Sequence, residues 1–126
     1  MERQRRTYSL DEARELLPVI RGVLLQVAVE RHAYAEAHAE LHRQLAGARD
    51  EPTAQEAQTG EHRDRIASLV AHLEELGVEV RDLEAGLVDI PTTRDGAPAW
   101  FCWRFEDREL AFWHTTREGY ASRRPL

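Results

Sequence analysis

The sequence predicts an α+β domain, an antiparallel helical hairpin packed on a three- or four-stranded antiparallel β-meander. Three observations predict it. An apolar seam with alternating spacings of three and four residues runs from Leu10 to Leu45. A shorter seam, His62, Ile66, Leu69, Leu73 and Leu76, ends at Gly77. Beyond it, Gly86 to His114 reads as three short strands and holds all three tryptophans, all three phenylalanines and the single cysteine.

At 126 residues the chain is expected to form one domain, 1–126, with enough length for one core. Charged residues make up 32% and the net charge is −6, a balance that argues against a general nucleic-acid binder. The basic clusters Arg3 to Arg6 and Arg123-Arg124 read as solvated ends. No apolar run approaches the ~20 residues of a membrane span, and no apolar region follows the charged N-terminus as in a signal peptide. One cysteine cannot form an internal disulfide, which suits a reducing compartment. The expectation is a cytoplasmic protein bound to neither nucleic acid nor membrane.

The first helix is expected over 9–46. Ser9-Leu10-Asp11-Glu12 is a capping box, in which the Ser9 hydroxyl accepts the Glu12 N–H and the Glu12 carboxylate accepts the Ser9 N–H. Its seam is Leu10, Ala13, Leu17, Ile20, Leu24, Val27, Arg31, Tyr34, His38, Leu41 and Leu45, a heptad pattern held over about five repeats. Pro18 lacks an N–H and is expected to kink the helix or split it. Residues 47–60 carry Gly, Pro, Gln and Thr and read as a loop. The second helix is expected over 61–76, ended by Gly77. It is too short to cover all of the first, so Leu10 to Leu24 require the sheet or a second chain.

The meander spans 78–114, with Val78 to Arg81 as a further short strand, and 115–126 is a tail. Asp95-Gly96 predicts a two-residue turn that pairs Asp89 with Cys102 and Ile90 with Phe101. A turn at Asp107-Arg108 would pair Cys102 with Trp113 and Phe101 with His114. Alternation then places Val88, Ile90, Phe101, Trp103, Phe105, Leu110, Phe112 and His114 on the helix-facing side. The other side carries Leu87, Asp89, Trp100, Cys102, Arg104, Ala111 and Trp113.

Gly86-Leu87-Val88-Asp89-Ile90-Pro91, with Cys102-Trp103-Arg104 and Trp113-His114, resembles the DUF2203 proteins, a small prokaryotic family of unknown function. The opening Tyr8-Ser9-Leu10-Asp11-Glu12-Ala13 with Leu16-Leu17-Pro18, the junction Leu76 to Asp82, and Gly119-Tyr120 with Arg123-Arg124-Pro125-Leu126 extend the resemblance over nearly the whole chain. The resemblance implies the fold boundaries and no activity. Two positions depart from the family's pattern: Thr115 stands where Glu usually follows Trp-His, and Ser122 where Gly usually precedes the tail arginine.

Three constellations carry chemistry. The mixed sheet face, Asp89, Trp100, Cys102, Arg104 and Trp113, with Arg123 folding back from the tail, reads as a ligand pocket with an aromatic floor. The reading it favours over the pocket is a dimer interface or helix-packing face in which Asp89 and Arg104 form an ion pair. Cys102, His114 and Asp89 have the residue types of a nucleophile pair or a zinc site, but the turn at Asp107-Arg108 sets His114 opposite Cys102. On the helices, His38 and His42 at i,i+4, with His62 near them, make half a metal site. No glycine-rich phosphate loop, Gly-x-Ser-x-Gly, His-Glu-x-x-His or Cys-x-x-Cys is present, and no cofactor is indicated.

Two functions follow as expectations. The first is a non-enzymatic protein-interaction module acting as a homodimer, from the long half-covered seam. The alternative is a small-ligand or metal-binding protein, with or without catalysis, whose site lies around Asp89, Cys102, Arg104, Trp113 and His114.

Overall fold

The computed structural model describes the backbone of residues 6–45 and 54–126. Helix α1 spans Leu10–Leu45 and α2 spans Ala54–Glu75. Strands β1 Glu79–Asp82, β2 Leu87–Arg94, β3 Ala97–Arg104, β4 Phe112–Thr115 and β5 Arg124–Pro125 form one antiparallel sheet in sequence order. The class is the expected α+β, with five strands where three or four were expected; the extra strand is drawn from the tail.

The capping box starts α1: Ser9 N–H donates to Glu12 Oε1 at 2.9 Å and Glu12 N–H to Ser9 Oγ at 3.1 Å. These bonds hold the Glu12 carboxyl below its ordinary range. The helix runs unbroken through Pro18. The ring removes the bond to the Arg14 carbonyl, but both residues are exposed, so water can satisfy that group. α2 begins earlier than expected. Of the expected loop 47–60, residues 47–53 lie outside the described residues and 54–60 are helical. Ala, Gln and Glu in that turn are good helix formers but carry no apolar period, so the pattern there was silent. At the far end Gly77, with φ 84°, donates to Glu74 O, and Val78 donates to Leu73 O at 3.0 Å, the paired bonds that terminate a helix on a left-handed glycine.

The core joins α1 (Ala13, Leu17, Ile20, Leu24, Val27) to Leu73 of α2 and to Val88, Ile90, Phe101 and Trp103 of the sheet. The sheet therefore covers the first half of the α1 seam, and α2 flanks the second. Tyr8 ties the N-terminal segment down, donating its N–H to Pro91 O and its hydroxyl to Leu76 O.

The β2–β3 hairpin has the expected register, Asp89↔Cys102 and Ile90↔Phe101. Asp95 and Gly96, at φ 51° and 79°, supply the two positive angles that its tight turn requires. The β3–β4 register differs by one residue: Cys102 faces Phe112, Phe101 faces Trp113 and Trp100 faces His114. The connection is no two-residue turn at Asp107-Arg108. Asp107 instead closes on Arg104, donating its N–H to Arg104 O at 2.7 Å and accepting the Arg104 N–H at 3.0 Å. Leu110 then drops into the core before β4 begins. The slip exchanges the faces of β4.

Candidate functional site

The exchange brings Asp89, Cys102 and His114 together on the sheet face turned away from α1. Asp89 and Cys102 are direct cross-strand partners. His114 lies one row along on β4, opposite Trp100, and its ring reaches back so that Nε2 meets Asp89 Oδ1 at 2.9 Å. One donor atom from each residue, oxygen, sulfur and nitrogen, lies within 4.8 Å of the other two. All three side chains are nearly inaccessible, at 2%, 1% and 2% exposure.

Each polar atom is accounted for, as burial demands. Arg81 Nε donates to Asp89 Oδ2 at 2.9 Å and its guanidinium lies over the Trp100 ring. His114 Nδ1 donates to the Thr115 carbonyl at 2.8 Å, which leaves Nε2 directed at the carboxylate. Burial first, and then the Asp89 charge, pushes the Cys102 thiol up to about 12; the thiol donates to that carboxylate, and Arg123 opposes the shift only in part.

A second layer sits over the thiol. Arg123 Nη1 donates to Asp107 Oδ2 at 2.7 Å and Nη2 to Oδ1 at 3.4 Å. The same guanidinium is 3.9 Å from the Phe112 ring and 4.4 Å from the Tyr120 ring. Burial pushes the Asp107 carboxyl up, but the Arg123 guanidinium and the Arg104 N–H outweigh it and hold the group below its ordinary range.

Of the residues anticipated on this face, Asp89, Trp100, Cys102 and Arg104 occupy it, and Arg123 folds back onto it. Three readings change. His114 joins Cys102 instead of opposing it. Trp113 turns to the helix side, packed against the core and flanked by Arg94 and Arg124, and Phe112 takes its place. The arginine on Asp89 is Arg81; Arg104 lies at the rim, on the Tyr120 hydroxyl at 3.4 Å and on Glu106. Arg81, Asp107, Phe112 and Tyr120 were not singled out. The alternation of β1 could have found Arg81, since Glu79 faces Asp89 and Arg81 lies two residues further along the same strand.

The helical histidines do not converge. His62 bonds Glu30 across the hairpin at 2.6 Å, while His38 and His42 contact each other edge-on. Eight residues of α1 separate Glu30 from His38, about 12 Å along the axis. Among the described residues, Asp89, Cys102 and His114 form the group of three that could hold a metal ion.

The geometry disfavours a nucleophilic cysteine. The imidazole is engaged by the Asp89 carboxylate rather than by sulfur, and burial and the Asp89 charge hold the thiol in its protonated, weakly nucleophilic form. It suits a metal better. Tetrahedral bonds of about 2.0–2.3 Å place ligand atoms about 3.3–3.8 Å apart, so the three atoms need shifts of under about 1 Å. A histidine fixed through its far nitrogen on a carbonyl, and a carboxylate held by an arginine, are the supports that metal ligands commonly have.

The family model described as "Uncharacterized conserved protein (DUF2203)" matches residues 6–126, and the chain belongs to this family. No curated protein and no solved structure matches it. Thr115, beside His114, serves the site through its backbone carbonyl, which any residue supplies. No helix among the described residues is long and apolar enough to cross a membrane.

Proposed function

We propose that this member of the DUF2203 family binds a divalent transition-metal ion through Asp89, Cys102 and His114. The observation that carries the reading is the convergence of three different donor atoms within 4.8 Å at a buried point of the sheet. A thiolate, an imidazole and a carboxylate together favour zinc, cobalt or iron(II) over magnesium or calcium. Three protein ligands leave a fourth position for water or a small ligand, the arrangement of catalytic rather than structural zinc. Binding displaces the Cys102 proton and the proton between His114 and Asp89, so affinity rises with pH. Arg81 stays on the outer carboxylate oxygen.

The test is a cobalt(II) titration of chelator-treated protein, followed by absorbance. The expected result is one equivalent bound, with a thiolate-to-cobalt charge-transfer band that Cys102→Ser removes and His114→Gln weakens at least tenfold in affinity. Absence of any saturable band overturns the reading.

A second reading, the homodimeric interaction module, has its own support. The half of the seam that called for a partner, Leu10 to Leu24, is covered by the sheet, but Leu25 and Val29 are 50% and 67% exposed on another face of α1. With Leu69 they line a groove of about 410 Å³ between the helices. Contiguous exposed apolar surface marks interaction sites. Sedimentation at micromolar concentration checks it: a dimer that Val29→Glu converts to monomer supports self-association, and a wild-type monomer removes it.

A further inference from the structure

The metal reading leaves unexplained how an ion reaches ligands that are almost completely buried. The cover over Cys102 is the C-terminal segment. A short 3₁₀ turn, Tyr120–Ser122, contributes no buried residue, and both residues of β5 are exposed. β5 is an edge strand held by two residue pairs, Phe112↔Pro125 and Trp113↔Arg124, and by the Leu126 N–H on Ala111 O. The hydrophobic core ends at Trp113 and includes no residue of the tail. The Tyr120 hydroxyl on Arg104 and the Arg124 guanidinium over Trp113 are exposed contacts; the side chain that holds the segment over Cys102 is half-buried. Arg123, with 15% of its side chain exposed, forks onto Asp107, stacks between Phe112 and Tyr120, and touches Cys102.

We propose that residues 119–126 form a strap over the Asp89–Cys102–His114 site, latched by Arg123 on Asp107, and that release of this latch sets the rate at which the site is reached from solvent. The strap can lift while the fold persists, because the contacts it breaks are two ladder pairs, the Leu126 N–H on Ala111 O, the Arg123–Asp107 and Arg124–Glu118 ion pairs, the Tyr120 hydroxyl on Arg104, and arginine contacts with the Phe112 and Trp113 rings, and no strap residue belongs to the core. Openings of this kind, confined to weakly fastened edge segments, have free energies well below that of global unfolding. Asp107 stays in place when the strap lifts, since its carboxylate and backbone N–H are tied to Arg104. Arg124, one residue on and 54% exposed, pairs with Glu118 and lies over the Trp113 ring on the helix side of β4, so it does not cover Cys102 and is the control for Arg123. The metal-rate part of the proposal rests on the metal reading; the strap itself does not.

The chain has a single cysteine, so a thiol reagent reads the strap directly. In the closed state Cys102 is buried and protonated, and it reacts only after opening. Apo protein is treated with 5,5′-dithiobis(2-nitrobenzoate) under native conditions. Arg123→Gln is expected to label about 10–100-fold faster than wild type, and Arg124→Gln within about 3-fold of it, with thermal midpoints of both variants close to wild type. The wild-type rate is then followed in low urea. A strap predicts a urea dependence much shallower than that of global unfolding, and this measurement stands even if Arg123→Gln folds poorly. Equal labelling of wild type and Arg123→Gln, or a wild-type rate with the full urea dependence of unfolding, overturns the strap. Stopped-flow cobalt(II) binding separates the two proposals. Faster association and dissociation in Arg123→Gln, with affinity changed less than about 3-fold, supports both. Latch-dependent labelling with no cobalt binding retains the strap and ends the metal reading. Cobalt binding at the same rates in both proteins, with unchanged labelling, retains the metal and ends the strap.

Discussion

The two faces of the sheet are built from alternate residues of the same strands, yet different physics closes them. On the helix side Val88, Ile90, Phe101 and Trp103 meet Ile20, Leu24 and Val27, and non-directional burial of apolar area holds the contact. On the outer side Asp89, Cys102 and His114 are buried as deeply, but by charge pairing and hydrogen bonds, under a tail that adds nothing to the core. The first face tolerates any well-packed apolar set. The second works only while every partner is present, because a buried polar group without a partner costs more than the bond contributed. A polar cluster of this kind is a weak means of stabilising a fold. That contrast is a reason to assign the outer face a function.

The comparison breaks most sharply by substitution on each face. Trp103→Ala on the inner face is expected to destabilise by about 4 kcal/mol, the usual loss for a large buried aromatic, measured by urea unfolding. On the outer face Asp89→Asn leaves His114 and Arg81 without their anion and is expected to destabilise by about 3 kcal/mol. The double change Asp89→Leu with His114→Leu removes both buried partners at once. Arg81, with 46% of its side chain exposed, can turn to water. The double variant is therefore expected within about 1 kcal/mol of wild type in stability, with cobalt binding abolished. If it is as unstable as Asp89→Asn, the outer face is packing rather than a paired polar unit, and the contrast fails.

The two hairpins show why one face was legible in the sequence and the other was not. Asp95-Gly96 demands two positive φ angles, so the turn and the β2–β3 register could be read to the residue, as could the capping box and the Gly77 stop. The β3–β4 connection has no such dipeptide. Its geometry comes from Asp107 bonding back to Arg104 and from Leu110 entering the core, contacts that exist only once the chain has folded. The alternation of β4 did not arbitrate, because either register puts one large aromatic inside, Phe112 or Trp113. A slip of one residue then moved His114 across the sheet, and with it the whole candidate site. The first turn of α2 and strand β5 were missed for a related reason: neither carries an apolar period. Arg123 was picked out as a residue that could fold back, but its partner Asp107 was read only as a turn residue.

The smallest effect at neutral pH, and the finest test of the contrast, is at Cys102. Cys102→Ala removes a little buried volume and one weak hydrogen bond to Asp89, and is expected to destabilise by about 1 kcal/mol at about pH 7. Its signature lies in the pH dependence. In the native protein the thiol is raised to about 12, whereas in the unfolded chain it ionises near ~8.5. Between those values the unfolded state binds fewer protons than the native state, so this group's contribution is fully present below about pH 8.5 and is lost as pH rises toward 12. The chain has no lysine, and only three tyrosines share the range, so the alkaline slope is readable. Urea unfolding at about pH 7 and about pH 10 should show wild type losing about 2 kcal/mol more than Cys102→Ala, enough to reverse their order. Parallel losses would mean that the thiol is solvated in the native state. The outer face would then be open where the inner face is closed, and neither a buried site nor a strap over it would stand.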